Sequence, residues 1–182
     1  MKSRFNVKYK RRREGKTNYT KRIKLLSSKK NMVVFRKLSR ILLSQIVKFD
    51  IKGDKVLASA SSKELEKYGW KLSKKNLAAA YLTGALLAKK TKSLKTGELI
   101  AHFGVSNPTK GSAHYAFLKG AIDGGLKIAH SPEAFPEEKR IKGEHIEKFA
   151  ASGHDKMQFS KTHDAKTISK IFDEVKKKIA SV

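Results

Sequence analysis

The N-terminal end of the chain is too basic to fold by itself. The first forty residues hold sixteen Lys and Arg side chains and one acidic residue, Glu14. Because like charges repel and almost no apolar period runs through this segment, it cannot collapse around a core of its own. A polyanion would order it, since each cation that meets a phosphate releases a condensed counterion. We therefore predict a basic, extended arm over residues 1–24 that is disordered in the free protein and binds RNA or DNA.

This arm offers two kinds of nucleic-acid contact. Its cations suit phosphates, and its tyrosines suit stacking on exposed bases or sugars. The candidate residues are the cations Lys8, Lys10, Arg11, Arg12, Arg13, Lys16, Lys21, Arg22 and Lys24, with the tyrosines Tyr9 and Tyr19. A membrane-binding helix is the rival interpretation of the charge, but Phe5, Val7 and Ile23 make no apolar helical face.

The remainder of the chain has the composition of a folded body. The net charge is +26 over 182 residues, and about +11 of it remains after residue 40, together with long apolar stretches. No stretch approaches the ~18 to 20 apolar residues of a membrane span, and the N-terminus lacks the apolar core of a secretory signal. Cysteine is absent, which fits a reducing compartment. We expect a soluble, cytoplasmic chain.

Apolar patterning predicts the strands and helices of this body. Residues 31–61 indicate a three-stranded meander, in which the second strand places Ile41, Leu43, Val47 and Phe49 on one face. Gly53 suits a hairpin loop before the third strand. The elements predicted next are a buried helix over 75–90, whose alanines and Gly84 allow close packing on a sheet, a strand over 98–105, a helix over 113–123 and a short strand over 126–128.

The order of these elements predicts an α/β fold with a mixed β-sheet flanked by helices. The C-terminal third is helical, with one helix from Pro136 to Ala150 and another over 164–179 that has apolar residues at helical spacing. That last helix must dock on the body or on a neighbouring macromolecule. We predict three parts: the arm over 1–24, an α/β core over 25–130 and a helical C-terminal extension over 131–182.

One loop of the body has the pattern of an anion site. Residues 104–112 link a predicted strand to a predicted helix, where free N–H groups and the helix dipole favour an anion. Lys110 adds charge there, Gly111 allows the turn, Ser112 suits the helix cap, and His114 follows on the first turn as a possible phosphate donor. A capped helix behind such a loop is also common without any ligand.

Catalytic and metal-binding patterns are missing from the sequence. The six histidines are scattered, without a HExxH pair or a cluster with cysteine, and the carboxylates Asp50, Asp54, Glu64 and Glu66 flank turns as solvated residues would. Phosphate-binding loops and nucleophile motifs are absent. We predict that the chain is not an enzyme and uses no cofactor or metal.

Several long motifs resemble one family, the universal 5S rRNA-binding protein of the large ribosomal subunit, which is the eighteenth in the bacterial naming series. They run in order from residue 8 to residue 151, and residues 156–179 resemble the C-terminal extension of archaeal members. The motifs are RRREGKTNY at 11–19, IVKFDIKGDKVLASASS at 46–62, NLAAAYLTGALLAKK at 76–90, NPTKGS at 107–112, LKGAIDGGL at 118–126 and HSPEAFPEEKRIKGEHI at 130–146.

The resemblance implies a ribonuclease H-like fold of the kind found in translation proteins, without nuclease activity. It implies a place in the central protuberance, where the protein would bridge 5S rRNA to the large-subunit rRNA beside neighbouring ribosomal proteins. It also implies that Thr17 joins the arm residues in contacting RNA, and that Lys110, Gly111 and Ser112 contact RNA. The sequence departs from the family at Leu38-Ser39-Arg40, where relatives usually show a Thr-Asn or Ser-Asn pair, and at Ala113, where an Arg is common.

The predicted function is therefore that of a structural protein of the large ribosomal subunit that binds 5S rRNA. Two alternatives remain at this point. One is a general RNA- or DNA-coating protein, and the other is an RNA-processing nuclease on the same fold, which would need carboxylates that converge on a metal.

Overall fold

A computed structural model describes residues 6–94, 96–151 and 167–181 of the chain. Its centre is one sheet of four strands in the order β3-β2-β1-β4, where β1, β2 and β3 form an antiparallel meander and β4 lies parallel to β1. This mixed sheet confirms the predicted α/β class. The strands are β1 Asn31–Lys37, β2 Leu42–Lys48, β3 Lys55–Ser61 and β4 Leu99–His102. The predicted strand over 126–128 is reduced to a single bridge between Leu99 and Ile128.

The second strand faces the core with the opposite residues from those predicted. Leu42, Ser44 and Ile46 are fully buried in β2, whereas Leu43 is half-buried and Phe49 is exposed. The side chains of a strand alternate between its two faces, and the polar residue Ser44 lies on the face that turned out to be buried. The apolar pattern therefore assigned the two faces of β2 the wrong way round. The Ser44 hydroxyl is satisfied there, because it donates a hydrogen bond to the carbonyl of Ala60 at 3.0 Å.

Two helices cover one face of the sheet and form the main core with it. The N-terminal segment contributes two earlier helices, so the covering pair is α3 and α4. In the described residues, the first four α-helices are α1 Lys10–Arg13, α2 Tyr19–Leu26, α3 Leu77–Lys90 and α4 Ala113–Asp123. We predicted that Gly84 brings α3 close to the sheet, but it meets α4 instead: a Cβ at Gly84 would lie 2.2 Å from the carbonyl oxygen of Phe117.

The opposite face of the sheet is covered by the N-terminal segment. Leu25 and Leu26 of α2 pack on Met32, Val34 and Val47 of the first two strands. Helix α1 and most of helix α2 lie within the arm, so much of its described length is helical. This corrects the prediction of an extended segment. An apolar patch on the sheet supplies the burial that the arm lacks by itself.

The described residues of the C-terminal third add three α-helices to the body. The predicted helix over 136–150 is broken at Gly143, whose φ of 87° lies in the left-handed region. These helices are α5 Glu138–Lys142, α6 Glu144–Phe149 and α7 Ile168–Ser181. The final helix docks on the main core through Ile168, Phe172, Val175 and Ile179, which are all buried. Residues 156–166 of the segment that resembles the archaeal extension, with the start of the helix predicted over 164–179, lie outside the described residues.

Among the described residues, no helix is long and apolar enough to cross a membrane.

Candidate nucleic-acid interface

The basic segment between α1 and α2 folds back on itself. The backbone N–H groups of Lys16 and Thr17 donate to the carbonyl of Arg11 at 2.9 and 3.2 Å, and Arg11 Nε donates to Thr17 Oγ1 at 2.9 Å. Asn18 caps α2 by accepting a hydrogen bond from Lys21 N at 3.0 Å. The predicted RNA contacts are thus presented on two short helices and a turn.

Most of the predicted arm contacts face solvent. The exposed ones are Lys8, Tyr9, Lys10, Arg11, Arg12, Arg13, Lys16 and Lys24, and the half-buried ones are Thr17, Tyr19, Lys21 and Arg22. The Tyr9 and Tyr19 rings lie 5.2 Å apart between centroids, and Tyr9 remains 73% exposed. Exposed cations around an aromatic pair suit phosphates and unstacked bases.

An ion pair ties the arm to the β2–β3 hairpin. Arg22 Nη2 donates to Asp54 Oδ1 at 2.6 Å, and this hydrogen bond raises the pKa of Arg22. The sequence indicated that Asp54 is a solvated loop residue and that Arg22 contacts RNA. Asp54 therefore neutralises much of the charge of Arg22, and the pair connects helix α2 to the hairpin.

A cavity of about 400 Å³ lies between the arm and the sheet, and we call it the arm pocket. It is lined by Arg11, Lys16, Thr17, Asn18, Tyr19, Arg22, Arg36, Asp54, His102 and Gly104. Arg36 and His102 were not predicted as site residues. Arg36 follows Met32 and Val34 on the face of β1 that the arm covers, so the alternation of that strand was the one available signal.

Electrostatics in the arm pocket are those of an under-neutralised basic site. Burial lowers the pKa of Arg36, and the charge of Arg11 lowers it further. Burial lowers the pKa of His102 to about 4, with a smaller contribution from Arg36, so its imidazole is neutral at pH 7. Both shifts have the sign that burial, and then neighbouring positive charge, give to a group that is cationic when protonated.

Of the loop before α4, residues 104–112, Gly104 alone lines the arm pocket. Lys110 is exposed and lies 3.6 Å from Glu133, while the N–H of Gly111 donates to the carbonyl of Ala134 at 3.0 Å. Ser112 holds the N-cap position, as predicted, but its hydroxyl is buried and makes no hydrogen bond with the described residues, so this hydroxyl is not exposed for the RNA contact that the resemblance implied. Lys110 is the one charged residue of this loop, and it is exposed.

His114 does not fit the donor role that we predicted. Its ring meets Phe35 and Phe103 edge-on, with centroids 5.4 and 5.0 Å away, and its Nε2 atom is buried. Burial lowers the pKa of His114, which disfavours the charged form that a phosphate would prefer. The first turn of α4 directs this side chain into the core.

Comparisons with known proteins agree with this architecture. The family described as "Ribosomal large subunit proteins 60S L5, and 50S L18" matches residues 3–102. Large ribosomal subunit protein uL18 of Korarchaeum cryptofilum is 47% identical over 98% of this chain and 96% of its own length. The chain belongs to this family. The uL18 protein of Thermofilum pendens is 44% identical over 97% of this chain and 95% of its own length. The uL18 protein of Methanosphaera stadtmanae is 47% identical over 83% of this chain and 78% of its own length.

Membership of the L18 and L5 family confirms the predicted class of protein. The predictions of a ribosomal protein and of a place in the large subunit hold at the level of the family. The family is named for ribosomal proteins and not for an enzyme, which agrees with the prediction that the chain is not catalytic. Within the ranges that the structure describes, no group of three His, Asp or Glu residues is placed to hold a metal ion.

Proposed function

We propose that this L18-family chain binds 5S rRNA and links it to the large-subunit rRNA in the central protuberance, beside neighbouring ribosomal proteins. The observation that carries the proposal is the exposure of most cations of the arm, while helix α2, which joins the arm to the core, is fixed on the sheet through Leu25 and Leu26. Phosphate neutralisation by these cations supplies affinity, and the rigid body supplies orientation on double-helical RNA, which is recognised mainly by shape.

The proposed division of labour follows the three parts of the chain. Residues 1–24 contact RNA, the α/β core over 25–130 supports them, and the extension over 131–182 packs on that core through α7. Helix α2 crosses the boundary at residue 24 and joins the arm to the core. We propose as RNA contacts the arm residues Lys8, Tyr9, Lys10, Arg11, Arg12, Arg13, Lys16, Thr17, Tyr19, Lys21, Arg22 and Lys24, and the loop residues Lys110 and Gly111.

A competition experiment tests this function. Labelled 5S rRNA bound to the purified chain is challenged with unlabelled 5S rRNA or with an unrelated RNA duplex of equal length. We expect 5S rRNA to displace the label at much lower concentration. Equal displacement by the two competitors would instead indicate a general coating protein. A parallel incubation with Mg²⁺ or a chelator, in which the RNA remains intact, excludes processing by a nuclease.

A further inference from the structure

The arm pocket holds more positive charge than the folded chain neutralises. Arg11, Lys16, Arg22 and Arg36 line it, and Asp54 is the one carboxylate among its lining residues. Asp54 pairs with Arg22, and Lys16 pairs with Glu14 at 2.8 Å beside the pocket. Two guanidinium groups, those of Arg11 and Arg36, therefore face the cavity without a carboxylate from the described residues.

Arg36 is the less exposed of these two groups. It is half-buried, and its guanidinium lies directly against the backbone of Gly104, where a Cβ would come within 1.6 Å of Nη1. With φ of 69°, residue 104 has the conformation that glycine adopts without strain. A half-buried cation beside a second cation is unfavourable unless an anion compensates it. The arrangement therefore favours a phosphate.

The deeper side of the arm pocket has a different chemistry. His102 is on β4, where it pairs with Val34 of the neighbouring strand β1. It is only 7% exposed, and its Nδ1 atom has no hydrogen-bond partner among the described residues. Buried polar atoms of this kind are uncommon, because an unmade hydrogen bond costs free energy. Tyr19 supplies an aromatic ring to the same cavity. A neutral imidazole and a phenol ring suit a ribose or base more than a bare anion.

We infer that the arm pocket receives one extruded nucleotide of the bound rRNA, with its phosphate on Arg11 and Arg36 and its ribose or base edge beside His102. The inference rests on the proposed RNA-binding function and adds a specific site to it. The cavity of about 400 Å³ lies in the size range of small-ligand sites, about 300 to 1,000 Å³. Splayed-out bases that stack on aromatic rings are a common mode of RNA recognition.

The first test uses the unmodified chain without RNA. Uridine and adenosine 5′-monophosphates, ribose 5-phosphate and inorganic phosphate are titrated separately, while NMR follows the His102 imidazole and the Arg36 side chain. His145 and Arg140, which lie outside the arm pocket, serve as control signals. We expect both pocket signals to move with at least one mononucleotide, and inorganic phosphate to move only Arg36. Equal shifts with inorganic phosphate, or no shifts at all, would overturn the inference.

The second test compares charge-matched variants on 5S rRNA. Arg36→Gln removes the half-buried cation of the arm pocket, and Arg40→Gln removes an exposed cation that does not line the pocket. We expect Arg36→Gln to weaken binding about tenfold or more, as for a lost charged hydrogen bond, and Arg40→Gln to have a much smaller effect. His102→Phe keeps a ring but removes both nitrogens, and we expect a loss of about fivefold.

These measurements separate the two proposals. If the unmodified chain does not prefer 5S rRNA to the control duplex, the proposed function fails. If it does prefer 5S rRNA but Arg36→Gln and Arg40→Gln bind alike, only the pocket inference fails. Thermal unfolding of each variant, together with the NMR titration of the unmodified chain, shows whether a loss of binding reflects a loss of folding.

Discussion

Two glycines determine how closely the covering helices approach. A Cβ at Gly84 of α3 would lie 2.2 Å from the Phe117 carbonyl oxygen, and one at Gly120 of α4 would lie 2.0 Å from the Tyr81 carbonyl oxygen. Both clashes are with backbone atoms, which cannot rotate away as a side chain can. The helix pair therefore depends on the absence of these two methyl groups.

Gly84→Ala should destabilise the protein, although alanine has the better helix propensity by about 1 kcal/mol. We expect a net loss of about 1 to 3 kcal/mol in the free energy of unfolding, because the helices must separate to admit the methyl group. Urea unfolding measures this loss of stability.

Ala80→Leu, at a fully buried position of the same helix, should also cost about 1 to 3 kcal/mol in the free energy of unfolding, because the larger side chain overpacks the core. Unchanged unfolding midpoints would contradict this packing.

The buried histidine of the arm pocket predicts a dependence of stability on pH. The pKa of His102 is about 4 in the folded chain against 6.5 for a free imidazole. Between these pH values the unfolded chain binds a proton that the folded chain does not, so stability should fall as the pH is lowered through this range. The lowered pKa values of His114 and His145 act in the same direction.

A substitution isolates the contribution of His102 to this effect. His102→Gln removes the titrating group, so the variant should lose less stability than the unmodified chain between pH 7 and pH 5. Urea unfolding at the two pH values provides the comparison. Parallel losses in both proteins would show that His102 accepts its proton in the folded state without penalty.

At the scale of elements, α2 and α7 are each attached through one apolar face. Helix α2 uses Leu25 and Leu26 on the outer face of the sheet, and α7 uses residues such as Phe172 and Val175 on the main core. The Phe172 ring lies 5.4 Å from that of Tyr81 on α3, and Lys176 Nζ lies 5.1 Å from the centre of the same Tyr81 ring. The last helix is therefore part of the body.

Phe172→Ala should cost about 3 to 5 kcal/mol of stability, because it leaves a cavity where a fully buried ring had packed. The exposed Lys177→Ala on the same helix is the control and should change stability by less than about 0.5 kcal/mol. Thermal unfolding of the two variants tests the docking. A loss of the same size in both variants would indicate that α7 contributes through charge and not through packing.

At the scale of the whole molecule, the arm and the core have separable roles. Alanine at Arg11, Arg12 and Arg13 together should leave unfolding of the core nearly unchanged, because all three are exposed. It should also reduce the slope of log affinity against log salt by about 2 to 3 for 5S rRNA, at roughly 0.7 to 0.9 per phosphate.

A charge-matched control distinguishes the arm from the total charge. Alanine at the exposed Lys148, Lys170 and Lys177 removes the same number of cations from the C-terminal helices. We expect this variant to keep most of the salt dependence of the unmodified chain. An equal reduction in both triple variants would show that affinity follows net charge and does not depend on the arm.

Local patterns were sufficient for most elements of the body, but not for the helices of the arm or the strand predicted over 126–128. The meander, the hairpin at Gly53, both covering helices and the last helix follow from apolar periods and turn residues, which depend on near neighbours in the chain. The motifs were also sufficient to indicate the family. Patterns misled where one residue broke a period, as Ser44 did in β2, and where Gly143 interrupts a helix that the apolar spacing had predicted as continuous.

The sequence alone determined that this chain has a polycationic segment, an α/β body and no pattern for catalysis, because charge and periodicity are local properties. Only the tertiary structure decided that helix α2, which joins the arm to the core, packs on the free face of the sheet, since that face is assembled from separate strands. It also decided the arm pocket, where Arg11, Arg36 and His102 come from three distant parts of the chain. A site of this kind depends on which residues the fold brings together, and spacing along the chain does not contain that information.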